Sequence, residues 1–434
     1  MAREMITGQP GHVFAQKRPS HTGDYTLHGH QVRVVSFRDL PLPTGPAPFR
    51  LDIKDVVSAP VYQRITDTGR LSFHLNGDIG GIGNSVPQQL VSAGMEADLS
   101  QATDGRSTPV FLYLTGDCVY FNGQVADYYA QYYAPYEHYG VPIFAVAGNH
   151  DGENVQGEVS LDGFVRNFCA ATPVKQPEAG DSHRTAMTQP NVYWTLLTPL
   201  VNIIGLYSNV PEGGEVRSPQ TEWLASELAT LPADQPILLA LHHPIYSADN
   251  YHSGSTAMKE LIDAAARQAG RSPDMILAGH VHDYQRLTHE HSDGTQRPYL
   301  ITGAGGYPNL HSIRKVNGAK MITPVQFIDK NNEPVTLNSY NDDHHGFLRV
   351  DLTADTFTGR YYEVPRPQDP YSKGSQLVDY FEYSWKTKTY NPNTLTGTTA
   401  TISTTAATRK AATRKVSTRQ PATAKKKASA AKKK

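Results

Sequence analysis

Five short segments carry side chains that bind metal ions: GDIGG, GDCVY, GNHD, HHP and GHVH. They place Asp78, then Asp117 and Tyr120, then Asn149 and His150, then His242 and His243, then His280 and His282. An isolated Gly-Asp is a turn, and an isolated GHVH is a polar loop. Five such segments in one chain, each closing a short apolar run, are hard to obtain as ordinary turn residues. Carboxylate, amide, imidazole and phenolate donors suit hard or borderline divalent and trivalent ions. About eight donors exceed what one ion needs. They suit two ions sharing a carboxylate about 3.5–4 Å apart, the arrangement used for in-line phosphoryl displacement. The residue types therefore point to two-metal hydrolysis of a phosphate ester. Gly77, Gly116, Gly148 and Gly279 precede the donors and are expected to let the backbone turn sharply there.

Taken in this order, GDIG, GDCVY, GNHD, the His-x-Pro of HHP and GHVH resemble the signature of the calcineurin-like metallophosphoesterases. The likeness spans about 78–282, with GAGG at 303–306 as a further element. The set is most similar to the purple acid phosphatase branch, in its small, tartrate-resistant form. The general pattern has a histidine two residues after the first aspartate, where this chain has Gly80. The purple acid phosphatases instead have a tyrosine three residues after the second aspartate, here Tyr120.

That resemblance implies an α/β (α+β) fold, a four-layer αββα sandwich. It also implies one ion held by Asp78, Asp117, Tyr120 and His282, and a second held by Asp117, Asn149, His242 and His280, with Asp117 bridging. A phenolate donor implies Fe(III) in the first position, beside a divalent iron, zinc or manganese ion; packing as a core aromatic is the alternative for Tyr120. The implied activity is phosphomonoester hydrolysis of the acid phosphatase kind, by in-line attack of a metal-bound hydroxide. A phosphodiesterase on the same scaffold is the alternative, because the motifs fix the metals and not the ester. His150 and His252 match histidines that contact phosphate or donate a proton to the leaving alkoxide, although SADNYHSG around His252 also reads as a surface loop.

Other residues read as structural. His243 adjoins a ligand, but alternation along a strand points it to the opposite face. Cys118 packs as a small apolar side chain. His289-Glu-His291 and His344-His345 read as solvated loops, and the tyrosine-rich 126–140 as a helix face beside the site.

Elements must hold the donors in place. RLSFHLN (70–76), PVFLYLT (109–115), VPIFAVA (141–147), PILLALH (236–242) and DMILAG (274–279) read as strands. Val86–Leu99 and the segment opened by Ser218-Pro219 read as helices. Residues 191–210 read as paired strands and 347–364 as a late hairpin. Sites in such sheets gather beyond the carboxyl ends of the strands.

The 434 residues carry a formal charge of −1, which hides a segregation. Residues 401–434 hold 11 of the 40 Lys and Arg and no acid, leaving 29 bases against 41 acids, a net of −12, in the rest. This Lys/Arg/Ala/Thr-rich tail repeats ATRKA, ATRKV and STRQP and has almost nothing to bury, so disorder is expected. Weak contact with nucleic acid or another polyanion is its functional reading. The organisation expected is an extension of unknown role (1–69), a catalytic domain (70–365), its C-terminal extension (366–400) and the tail (401–434). Within 1–69, VRVVSF (32–37) suggests a strand, and His28 and His30 read as a surface accident. Two cysteines make no disulfide framework, and no membrane span or secretory leader is visible. A cytoplasmic enzyme with no membrane contact, acting on a small-molecule or protein phosphate ester, is the expectation.

Overall fold

The computed structural model describes residues 40–101, 108–153, 159–208, 216, 218–329, 331–391 and 401–402. The VRVVSF segment, His28 and His30, and the tail beyond Ile402 lie outside these residues. In chain order the elements are β1 (Arg50–Asp52), α1 (Ala59–Thr68), β2 (Leu71–Asn76), α2 (Val86–Gln101), β3 (Leu112–Leu114), β4 (Ile143–Ala145), α3 (Asp162–Phe168), β5 (Trp194–Leu197) and β6 (Asn202–Gly205). There follow α4 (Ser218–Thr230), β7 (Ile237–Ala240), α5 (Thr256–Ala269), β8 (Met275–Ala278), β9 (Tyr284–Glu290), β10 (Gln296–Thr302), β11 (Lys315–Val316) and β12 (Ala319–Lys320). The chain continues through β13 (Val325–Ile328), β14 (Pro334–Asn341), β15 (Gly346–Leu352), β16 (Thr356–Glu363), β17 (Ser375–Ser384), β18 (Thr389–Tyr390) and β19 (Thr401–Ile402).

Two mixed sheets carry the fold. One runs β1-β5-β6-β7-β8-β10-β9-β14-β13, and the other β18-β17-β16-β15-β2-β3-β4, with β19 beside β17. Parallel pairing joins β2, β3 and β4 in the second sheet, and β6, β7 and β8 in the first. Side-chain alternation shows how the layers stack. On β3 and β4, Tyr113 and Phe144 face the other sheet and meet Trp194 of β5, with ring centroids 6.2 and 5.6 Å away. On the opposite face of β2, His74 Nε2 meets Asp98 of α2 at 2.9 Å. On β5, Thr195 turns away from Trp194 and donates to Glu227 of α4 at 2.6 Å. The order is thus helix, sheet, sheet, helix, the four layers expected, around one continuous buried core.

The sheets also take in chain on both sides of the motif region. β1 lies parallel to β5, and Arg50 reaches Glu227 at 2.9 Å. β17 pairs along β16, and β19 pairs with its start. His289 is not in a solvated loop: it sits on β9, buried, because β10 and β14 flank that strand on both sides. His344 and His345 lie in the turn before β15, held by Glu363 at 3.3 Å and by the Tyr307 carbonyl at 2.9 Å. The tyrosine-rich stretch forms a π-helical turn over Tyr129–Tyr133, with Tyr128, Tyr132, Tyr133, Tyr136 and Tyr139 fully buried. Among the described residues no helix is long and apolar enough to cross a membrane.

Candidate metal centre

Every donor follows the carboxyl end of a parallel strand. Asp78 follows β2, Asp117 and Tyr120 follow β3, and Asn149 follows β4, all in one sheet; His242 follows β7 and the His280–His282 pair follows β8 in the other. The centre therefore straddles the tops of both sheets. Backbone hydrogen bonds lock the turns together: Asp78 N–H donates to the Gly116 carbonyl at 2.9 Å, and Ile79 N–H to that of Asp117 at 3.1 Å.

The sharp turns expected at the glycines are made largely by the donors themselves. Asp78, Asp117 and His280 have φ of 55°, 51° and 68°, the left-handed region that non-glycine residues seldom adopt. Strain of this kind persists only where its surroundings over-determine it, as at functional sites. Gly116, at φ 104°, does turn. Gly148 instead provides room, since a Cβ there would overlap Asp117 Oδ1.

The seven side chains meet in two sets. Tyr120 Oη lies 3.1 Å from Asp78 Oδ1 and 3.2 Å from His282 Nε2, and His282 Nε2 is 3.4 Å from Asp78 Oδ1. Asn149 Oδ1 lies 3.0 Å from His242 Nε2 and 3.1 Å from His280 Nδ1, while His242 Nε2 is 3.2 Å from Asp117 Oδ2. None of the seven is more than 9% exposed. Among the described residues, the ion-pair neighbours of Asp78 and Asp117 are imidazoles rather than lysine or arginine. Two buried carboxylates facing amide oxygen, phenol and imidazole nitrogen are a donor set that fits cations. The outer contacts agree. His242 Nδ1 donates to the Thr115 carbonyl at 2.9 Å and His282 Nδ1 to that of Asn309 at 3.0 Å. That leaves each Nε2 turned inward, the tautomer a ligating histidine needs.

Charge sets the protonation states of this set. Burial opposes ionisation of Asp117, but His242 and His150 outweigh it and hold the carboxyl below its usual range. Burial would lower His242; the Asp117 charge and hydrogen bond outweigh that and push it up to about 9. Burial, then Asp78 and Asp117, drive the Tyr120 phenol well above its ordinary value, so without a cation it stays protonated.

His150 Nδ1 bonds the Phe121 carbonyl at 2.7 Å and its ring lies 4.5 Å from that of Tyr120. The His252 ring lies 4.4 Å from that of His280, so the SADNYHSG loop folds against the centre. His243 also stays among the imidazoles, its ring 4.3 Å from His280 and its Nδ1 2.7 Å from Ser208 Oγ. The alternation argument fails for it because β7 ends at Ala240, before the histidine pair. Cys118 is buried, as expected.

Several residues at the centre escaped the sequence reading. Asp151, the last residue of GNHD, accepts backbone N–H groups from Cys118, Val119 and Gly148 at 3.0, 3.1 and 2.8 Å, bracing one donor loop against another. The His311 ring lies 4.3 Å from that of His282, and Asp249 holds its Nδ1 at 3.0 Å. The Tyr307 ring stacks on Tyr120 at 4.2 Å. GAGG at 303–306, just before Tyr307, was the one available signal. Gly80 has a spatial reason: a Cβ there would lie 2.7 Å from Tyr120 Cδ2. The space a side chain at position 80 would need is taken by the tyrosine ring.

Comparison with known proteins finds likenesses over the region that carries these donors. Residues 77–284 match the calcineurin-like phosphoesterase family. Purple acid phosphatase 21 of Arabidopsis thaliana is 26% identical over 130 residues, 29% of this chain and 29% of that protein. A cAMP/cGMP dual specificity phosphodiesterase of Mycobacterium tuberculosis is 37% identical over 84 residues, 19% of this chain and 26% of that protein. A purple acid phosphatase from yellow lupin (Lupinus luteus) seeds superposes with a TM-score of 0.51 at 16% identity, covering 73% of this chain and 54% of that one. The chain thus spans under a third of the length of these curated relatives. The lupin likeness bears on the fold.

Proposed function

We propose that this chain, whose residues 77–284 belong to the calcineurin-like phosphoesterases near their purple acid phosphatase branch, hydrolyses phosphate monoesters at a dinuclear centre. The observation that carries the reading is the convergence of seven buried donors, from five strand ends, into two adjoining sets. Asp78, Tyr120 and His282 would hold one ion, Asn149, His242 and His280 the other, and Asp117 would serve both. When bound, the ions supply positive charge to the phosphoryl oxygens and acidify the attacking water.

The protein's own groups do the rest. His150, with Nδ1 fixed on the Phe121 carbonyl, would contact a phosphate oxygen or give a proton to the departing alkoxide. His252, its ring 4.4 Å from that of His280, would meet the same groups. Exclusion of water by the buried donors strengthens every charge interaction with the ester. Because the phenol stays protonated without a cation, Tyr120 favours a trivalent partner, and Fe(III) is the ion proposed beside a divalent one.

A phosphodiesterase is the second reading, favoured by the relative from Mycobacterium tuberculosis that carries that activity in its name. Protein stripped of metal and reloaded with iron and zinc separates the two. Turnover of 4-nitrophenyl phosphate with little on bis(4-nitrophenyl) phosphate supports the monoesterase, and the reverse order supports the diesterase. The same samples test the iron. A visible phenolate-to-iron band is expected, and it vanishes in Tyr120→Phe. A colourless, iron-loaded, active wild type would remove Tyr120 from the ligand set.

A further inference from the structure

A second group of donors lies outside the centre, where β9 meets the β13–β14 turn. Asp329 and Glu333 bracket that turn, and the Asp329 N–H donates to the Glu333 carbonyl at 2.9 Å. β14 then runs antiparallel to β9, with Val335 opposite His289. Glu333 immediately precedes β14, two residues before Val335, and its carboxylate reaches the imidazole across the strand pair.

His289 is the informative member. It is 3% exposed, and among the described residues neither ring nitrogen has a hydrogen-bond partner. Its Nε2 comes within 3.0 Å of Glu333 Oε2 without a hydrogen-bonding approach. A buried imidazole left in that state has given up its water partners without replacing them. One donor atom each from His289, Asp329 and Glu333 lies within 4.8 Å of the others. Asp329 is fixed by the turn, its Oδ1 accepting from Asn331 and Glu333 and its Oδ2 from Tyr246 Oη at 3.2 Å. Lys259 Nζ stands 3.9 Å from Glu333 but makes its short contact, 2.7 Å, with Asp263. The His291 ring, 4.4 Å from that of His289, adds another imidazole to the neighbourhood.

We propose that His289, Asp329 and Glu333 bind one divalent cation of the zinc type, separate from the dinuclear centre. One imidazole nitrogen and two carboxylates suit such an ion, with bonds of about 2.0–2.2 Å. Closing on it asks the three donors to move by on the order of 1 Å. Glu333, with its side chain 41% exposed at a turn, has freedom to do so. The bound ion would tie the β13–β14 turn to β9 and so fasten the outer edge of the nine-stranded sheet. Its binding energy would count toward folding.

The test starts from full-length Asp117→Asn protein, in which the dinuclear centre is weakened, stripped with chelator and titrated with zinc chloride. One equivalent of zinc retained through dialysis and a Tm rise of several degrees are expected. Adding Glu333→Gln or His289→Asn should remove both, while either change in the otherwise native, metal-loaded chain leaves ester turnover within about twofold. Glu333→Gln at the exposed turn guards against a variant that merely misfolds. Zinc content and Tm response unchanged by both substitutions would overturn the site. So would a loss of ester turnover in parallel with the loss of zinc, which would assign the ion to the catalytic centre.

Discussion

Tyr120 and Gly80 occupy one space between them. Gln131 holds the tyrosine by its backbone, accepting from its N–H at 2.8 Å, while Tyr307 stacks on the ring. Gly80→Ala would bring a Cβ within 2.7 Å of Tyr120 Cδ2. Neighbours braced in this way have little room to yield, and overpacking costs about 1–3 kcal/mol. The ring would leave its place beside Asp78, so metal retention should fall by roughly 10–100-fold, read by metal analysis after dialysis. The donor identities were legible because each is a distinctive residue type at the end of an apolar run. His311, Asp249 and Asp151 were not. His311 and Asp249 act through loops whose spacing from the motifs is irregular; Asp151 stands inside GNHD, but it braces another loop's backbone, and one aspartate among 41 acids carries no label.

At the scale of elements, buried charges tie the outer helices and strands to the sheets. Glu227 of α4 is fully buried and accepts from Arg50 of β1 and from Thr195 of β5. Arg50→Ala would leave that carboxylate with no cation. For a fully buried pair this costs about 3–5 kcal/mol, and the 27% exposure of Arg50 brings the expected loss to about 2 kcal/mol. Denaturant unfolding would measure it, and a loss below about 0.5 kcal/mol would reduce the contact to a surface ion pair. Acid acts through His345. Burial lowers it to about 4, so it is neutral when folded, whereas the unfolded chain takes up a proton below about 6.5. Its stabilising share is complete above pH 6.5 and is lost as pH falls toward 4. His345→Gln, which keeps a donor for the Tyr307 carbonyl, should soften that acid loss by on the order of 1–2 kcal/mol between pH 7 and 4.5. The parallel strands and the late hairpin were legible from apolar runs and turn residues. The burial of His289 was not, because it depends on β14, some fifty residues later in the chain, lying down beside β9.

The whole molecule rests on how closely its two sheets approach. At Gly205 of β6 an added Cβ would lie 2.7 Å from Val146 Cγ1 and 2.8 Å from Tyr113 Oη of the facing sheet. Gly205→Val should wedge the sheets, costing about 1–3 kcal/mol, or about 2–4 °C of Tm for each kcal/mol. It should also weaken metal retention although no donor is touched; normal metal content in a destabilised variant would uncouple the centre from sheet spacing. Sequence could not disclose that spacing, since a glycine in a strand looks the same whether it meets solvent or another backbone. Each donor set also draws on both sheets: Asp78 and Tyr120 need His282, and Asn149 needs His242 and His280. During synthesis, the donors that follow β2, β3 and β4 would therefore emerge well before their counterparts and wait, unable to retain an ion. Metal capture would register the coincidence of two finished halves, and a nascent chain halted before residue 280 would leave the ribosome empty-handed however well its first strands had folded.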